Sequence, residues 1–108
     1  MTDLLFVIVR IVMIIRIRKS HIVARHYGGS LSYFVVPIDD LLDLIRGLVE
    51  RGVWHARHNL GERKFRTWYY CPSIVGVQVP GYLATHRICL VTEVKPRGVV
   101  VVRTAYPD

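Results

Sequence analysis

"HRICLVTEVKPRGVVVVRTAY", residues 86–106, holds two runs rich in β-branched side chains, 86–94 and 98–106, around a KPRG segment. Branched side chains pack well on a pleated surface, and a Pro followed closely by Gly breaks the chain. The stretch therefore predicts an antiparallel hairpin. Just upstream, "VWHARHNLGERKFRTWYYC" (53–71) divides at NLGE into two extended pieces, 53–58 and 63–71. Together they predict an antiparallel sheet of about four strands over 53–106, twisted as sheets of L-residues are.

Ahead of that sheet, "PIDDLLDLIRGLVERG" (37–52) places Ile38, Leu41, Leu42, Ile45, Leu48 and Val49 at helical spacing on one face. Asp39, Asp40 and Asp43 occupy its first turns, Arg46 and Arg51 its later ones, and Gly52 follows as a terminator. An amphipathic helix over 38–51 is expected, its acids serving the helix rather than chemistry. "LSYFVV" (31–36) reads as a short strand stopped by Pro37.

The opening segment "LLFVIVRIVMIIRIR" has an apolar run at 4–15 interrupted by Arg10. It is too short to span a bilayer as a helix. An arginine near the middle would cost roughly 2.5–3.5 kcal/mol on insertion scales. No small-residue cleavage site follows, and the cations lie after the run, so a signal peptide is not expected. From Arg10 to Arg18 the odd positions are apolar while Arg10, Arg16 and Arg18 are charged. That is the period of a strand with one buried face. Residues 1–18 thus read as an apolar first strand, with a membrane-associated helix as the alternative. The fold class is α+β: an N-terminal strand and one amphipathic helix packed on the antiparallel sheet, in a single domain over 1–108.

The 108 residues suit one modest core, and 52% apolar content excludes disorder. Fifteen Lys and Arg against eight Asp and Glu leave a formal charge of +7. Residues 27–52 are the acidic part, with two basic groups and four acids. The rest is basic, which points to a polyanionic partner such as RNA, or simply to a soluble protein of high isoelectric point. Two cysteines, Cys71 and Cys89, make no disulfide framework and read as buried thiols, although one bridge between them stays open.

Within "ERKFRTWYY" (62–70), Arg63, Lys64 and Arg66 alternate with Phe65, Trp68, Tyr69 and Tyr70. On a strand, Lys64, Arg66 and Trp68 share a face. Guanidinium groups hold phosphates and aromatic rings stack on unpaired bases, so Arg63, Lys64, Trp68 and Tyr70, with Arg25 and Arg87, are candidate RNA contacts. A sheet with rings inward and cations in water explains the pattern equally well. His55 and His58, three apart, have the spacing of metal ligands on a helix, but they fall on an expected strand or turn, and no metal or cofactor is assigned. Thr104 and Tyr106 project from one face of the last strand and can hydrogen-bond a phosphate oxygen.

"KSHIVARHYGGS" (19–30) brings His21, Arg25 and His26 together ahead of a glycine break. A histidine pair five residues apart with Gly28 behind it, then a helix, then a sheet ending Thr104-Ala105-Tyr106-Pro107, resembles the RNase-like nucleases of the barnase–EndoU–colicin–RelE superfamily. The nearest likeness is to the RNase A-like toxin domains of contact-dependent inhibition proteins. It covers the two ends and the element order over about 20–108. The resemblance implies metal-independent cleavage of RNA, the ribose 2′-OH attacking the adjacent phosphorus. His21 carries over as the principal acid/base, and His26 as the second proton carrier or a structural histidine. Thr104 and Tyr106 carry over as phosphate-orienting hydroxyls. The family places a catalytic Arg or Lys in the helix after the histidines. Here that helix offers Arg46 and Arg51, and Arg25 or Arg66 can fill the role from elsewhere.

Five residues on a regular helix turn through about 140°, and on a strand they reach opposite faces. His21 and His26 are therefore expected to share a site only if the chain bends between them. A free toxin implies an acidic inhibitor protein as partner and the cytoplasm as its place of action, reached by delivery or by viral expression. The alternatives are a non-catalytic nucleic-acid-binding module of the same fold, or a viral structural or assembly protein that forms a homodimer through its first strand.

Overall fold

The computed structural model describes residues 13–27 and 31–108. Residues 1–12 of the expected first strand, with Arg10, and the glycine break at 28–30, with Gly28, lie outside the described residues.

The hairpin at 86–106 is the middle of the molecule. Its strands are β7 (Arg87–Lys95) and β8 (Val99–Pro107), paired antiparallel from Ile88↔Pro107 to Lys95↔Val99. A 3-10 turn at Pro96–Gly98 joins them, with Arg97 (φ 65°) and Gly98 (φ 75°) both left-handed. β4 (Lys64–Tyr70) pairs antiparallel with the other side of β7, and β3 (Ala56–Gly61) lies outside β4. The turn between β3 and β4 falls at Glu62–Arg63, with Arg63 at φ 56°, not at 59–62 as the NLGE reading has it. β1 (Ile14–Ile17) hydrogen-bonds in parallel to the free side of β8, giving the order β1-β8-β7-β4-β3.

The fold is α+β, as expected, but larger in both components. Five strands form the main sheet rather than about four. A second, three-stranded sheet joins β2 (Tyr33–Phe34), β5 (Gly76–Gln78) and β6 (Leu83–Thr85) in the order β2-β5-β6. Strands of two or three residues are too short to leave a period in the sequence, and β5 and β6 went unread for that reason. A second helix, α1 (Lys19–His26), precedes the expected one, α2 (Ile38–Arg51). Only Ile22 of α1 enters the hydrophobic core, so no apolar stripe announces this helix.

α2 behaves as its sequence predicts. Leu41, Ile45, Leu48 and Val49 are buried, and Gly52 caps its end at φ 66°, its N–H donating to the Leu48 carbonyl. The core they share holds Ile15 from β1, Tyr69 from β4, Ile88 and Leu90 from β7, and Val102 and Ala105 from β8. Arg46 reaches across to donate to the Ile15 carbonyl at 3.0 Å, tying α2 to the edge strand. Cys71 and Cys89 are both buried and free. Among the described residues no helix is long and apolar enough to cross a membrane.

One irregularity controls which side chains face where. Val91 pairs with Thr104 but Thr92 pairs with Val102, leaving Arg103 as the extra residue of a β-bulge. Val102, Ala105 and Pro107 can then all face the core, although 102 and 105 would take opposite faces of a regular strand. Thr104 and Tyr106 turn to the other side. The small sheet meets β8 at Gly76, where an added Cβ would lie 2.5 Å from both Pro107 Cγ and the Tyr33 carbonyl oxygen. Neither neighbour can give way easily. Gly76→Ala should therefore destabilise the protein by about 1–3 kcal/mol, read as a thermal midpoint lowered by at least about 4 °C.

Candidate active site

β1 runs parallel to β8 and ends level with Val102, where the Arg18 N–H donates to the Val102 carbonyl. The chain then turns into α1, which packs beside the remaining residues of β8. A cleft of about 420 Å³ forms there. His21, Arg25 and His26 line it from α1, Leu31 and Ser32 from the returning chain, Val79 from the segment after β5, and Thr104 and Tyr106 from β8. Of the residues expected to act together, His21, His26, Thr104 and Tyr106 thus share one cavity, and Arg66 is not among its lining.

His21 and His26 do so without a bend between them, contrary to the helical-angle expectation. Both belong to one uninterrupted eight-residue helix. His26 is its last residue, and the cavity reaches round that final turn to Ser32, so two different sides of α1 line one space.

His26 is held firmly. Its Nδ1 lies 2.9 Å from the Ser32 carbonyl oxygen, and its ring centroid is 5.7 Å from that of Tyr106. A carbonyl only accepts, so Nδ1 carries the proton and Nε2 keeps a lone pair. Burial lowers the His26 pKa from the ordinary 6.5; the bond to Ser32 opposes that shift, while the charges of Arg25 and His21 add to it. Tyr106 is pushed the other way, well above the ordinary phenol value, first by burial and then by the Cys89 thiol, with Arg66 pulling it partly back. Its hydroxyl stays protonated. Burial likewise raises the Cys89 thiol to about 11, which makes it inert.

Arg66, expected as a catalytic cation, does not line the cleft and stands on β4. It pairs in register with Val91, and Val91 with Thr104, so Arg66 and Thr104 stand in one cross-strand row on the face that carries Tyr106. The Arg66 Nε and the Thr104 Oγ1 are buried and make no hydrogen bond among the described residues. Buried polar atoms are nearly always paired, and each of these two, separated by the width of β7, suits a bound water or ligand.

The other expected RNA contacts are more scattered. Trp68 stands in the next row, opposite Cys89 and then Tyr106, and its indole N–H donates to Asp108 Oδ2 at 2.6 Å. Tyr70 and Arg87 form the row beyond. Arg87 donates from Nε to the Asp108 carbonyl oxygen at 2.8 Å. Lys64 lies at the opposite end of β4, in register with Glu93, and Arg63 sits in the exposed β3–β4 turn rather than on a strand. Of the two arginines in α2, Arg46 is committed to Ile15, whereas Arg25 is in the cleft.

Sequence reasoning missed Ser32, whose carbonyl orients His26 and whose hydroxyl accepts from the Val79 N–H. It also missed the contact of Tyr70 with His55 and His86, at ring-centroid distances of 4.6 and 5.5 Å. Among the described residues no three His, Cys, Asp or Glu side chains gather as metal ligands. No protein-family model matches the chain, and no curated protein or solved structure matches it either.

The lowered His26 value has a consequence for stability. The unfolded chain takes up this proton near 6.5 and the folded chain only at lower pH, so the fold favours neutral His26. Its contribution is complete above pH 6.5 and is lost as pH falls through the folded value. The thermal midpoint should drop between about pH 7 and about pH 5. In His26→Gln, which has no proton to gain there, the drop should be smaller.

Proposed function

We propose that this protein is a small metal-independent endoribonuclease that cleaves RNA by 2′-OH transesterification. One observation carries the reading: two imidazoles, a guanidinium and two hydroxyls from opposite ends of the chain line one cleft. Nε2 of neutral His26 takes the proton of the 2′-OH as O2′ bonds to phosphorus. Protonated His21 donates to O5′ as the P–O5′ bond breaks. The products are a 2′,3′-cyclic phosphate and a 5′-hydroxyl, and the two histidines exchange protonation states. Arg25, with the Thr104 and Tyr106 hydroxyls, offers donors to the phosphorane oxygens where charge develops. A protein acting this way in a cell, a toxin among them, needs an acidic inhibitor to cover the cleft, and its place of action is the cytoplasm.

A second reading has its own support. The bond to Ser32 and the burial of His26 equally suit a structural histidine in a nucleic-acid-binding module. A third, assembly through a homodimer, draws on β1 as the outer strand of the main sheet among the described residues.

Purified protein incubated with total RNA in EDTA should cleave it, and the products should carry cyclic phosphate ends. His26→Ala and His21→Ala should each lower kcat by about 10²–10⁴-fold, and Tyr106→Phe by about 10²–10³-fold. Because the base is held neutral, the acidic limb of kcat/KM should fall below pH 6.5. Salt-sensitive binding without cleavage, unaffected in the histidine variants, would establish the binding module instead.

A further inference from the structure

Past the cleft, the same face of the sheet carries an aromatic cluster outside the reaction scheme above. Tyr70, at the end of β4, touches His55 before β3 and His86 before β7. All three residues are exposed, Tyr70 to 55%. Three touching rings held open to solvent gain little for the fold, because their faces are not packed in the core. Tyr70 has the same strand parity as Arg66 and Trp68, and Trp68 is linked in register through Cys89 to Tyr106. Tyr70 therefore looks out on the side where Tyr106 lines the cleft. Two strand spacings and two residues along the strand separate the two tyrosines, a distance of about 12 Å. No more than about four nucleotides cover that span at a stacked rise of about 3.4 Å.

We infer that the cluster of His55, Tyr70 and His86 is a stacking platform for an unpaired base, so that the substrate of the cleft is single-stranded RNA lying across β8, β7 and β4. This rests on the nuclease reading for the cleft but on a separate set of residues. The bases of a duplex are stacked within its helix and offer no faces to such a platform. An unpaired strand offers one at each nucleotide, and aromatic stacking accepts any base. Trp68, between the cleft and the platform, is held by Asp108 and is a built-in optical probe of the path.

The test is binding and cleavage of a fluorescent six-nucleotide single strand, a blunt duplex of the same sequence, and a dinucleoside monophosphate. Wild type should bind the single strand tightly and the duplex poorly, with a change in tryptophan emission. Tyr70→Ala should weaken single-strand binding about 5- to 150-fold, and Tyr70→Phe should restore it. In cleavage assays the alanine variant should raise KM for the six-mer with kcat unchanged and leave turnover of the dinucleoside untouched. Equal binding of duplex and single strand, or no loss in Tyr70→Ala, would overturn the platform even if cleavage occurs. Tyr70-dependent binding without any cleavage keeps the platform and overturns the nuclease. Since Tyr70 is at the surface, circular dichroism should show both variants folded as wild type.

Discussion

The extra residue at Arg103 sets the phase of everything around it. A regular strand over 99–107 could bury Val100 and Val102 or bury Ala105 and Pro107, but not both pairs, because successive side chains alternate. The bulge inserts one residue between them and both pairs turn inward. Two requirements are thereby met on one strand. The first half of β8 presents valines to α2 and to the isoleucines of β1, and the second half presents two hydroxyls to α1. Arg103 itself is anchored outside, donating from its guanidinium to Glu93 Oε1 at 3.2 Å.

The parallel pairing of β1 with β8 supplies the other half of the geometry. A strand paired parallel to β8 must leave the sheet in the direction in which β8 continues. The next residues of the chain are then carried alongside Thr104 and Tyr106. Ile22 fixes the roll of α1 by entering the core, which leaves the side bearing His21 and Arg25 for the cleft, while His26, one turn after Ile22, reaches the cleft from the end of the helix. Ser32 closes the arrangement. Its carbonyl accepts a hydrogen bond from the His26 Nδ1–H and its hydroxyl accepts one from the Val79 N–H, so one residue joins helix, return segment and the segment after β5. The imidazole is oriented by backbone, which moves less than a side-chain partner would.

Long elements were legible in the sequence because their periods repeat. α2 shows more than three turns of apolar stripe, and β4, β7 and β8 show the branched and aromatic content of a pleated surface. The face shared by Lys64, Arg66 and Trp68 followed from alternation alone, and the register bears it out. α1 was not legible, since two turns with one apolar anchor carry no period; the expectation that His21 and His26 need a bend to share a site failed because His26 ends α1, where one cavity is lined from two sides of the helix. The meeting of the chain ends has a similar character. It depends on a parallel pairing and a bulge, and neither leaves a local mark in the residues that form it. His55 and His86 are thirty-one positions apart and meet only through Tyr70. No local spacing could have joined them.

Charge on this face is less lopsided than a total of +7 suggests. Glu93 gathers Lys95 and Arg103, each with a nitrogen at 3.2 Å, and Lys64 lies opposite it in register. Those contacts hold the Glu93 carboxyl below its ordinary pKa, the Lys95 hydrogen bond leading. Asp108 takes Arg87 and Trp68 at the other end of the sheet. The cations that meet these acids lie toward the two ends of β7, while Arg66 is in register with Val91 near its middle and Arg25 lines the cleft with Thr104 and Tyr106. On the proposed reading, an RNA strand meets the Arg25 charge at the cleft rather than a continuous track of cations. Affinity for the rest of a strand must then come from uncharged contacts, and exposed rings supply these where paired cations cannot. On the proposed reading, such a face suits an unpaired strand, whose bases can stack, better than a uniformly charged duplex.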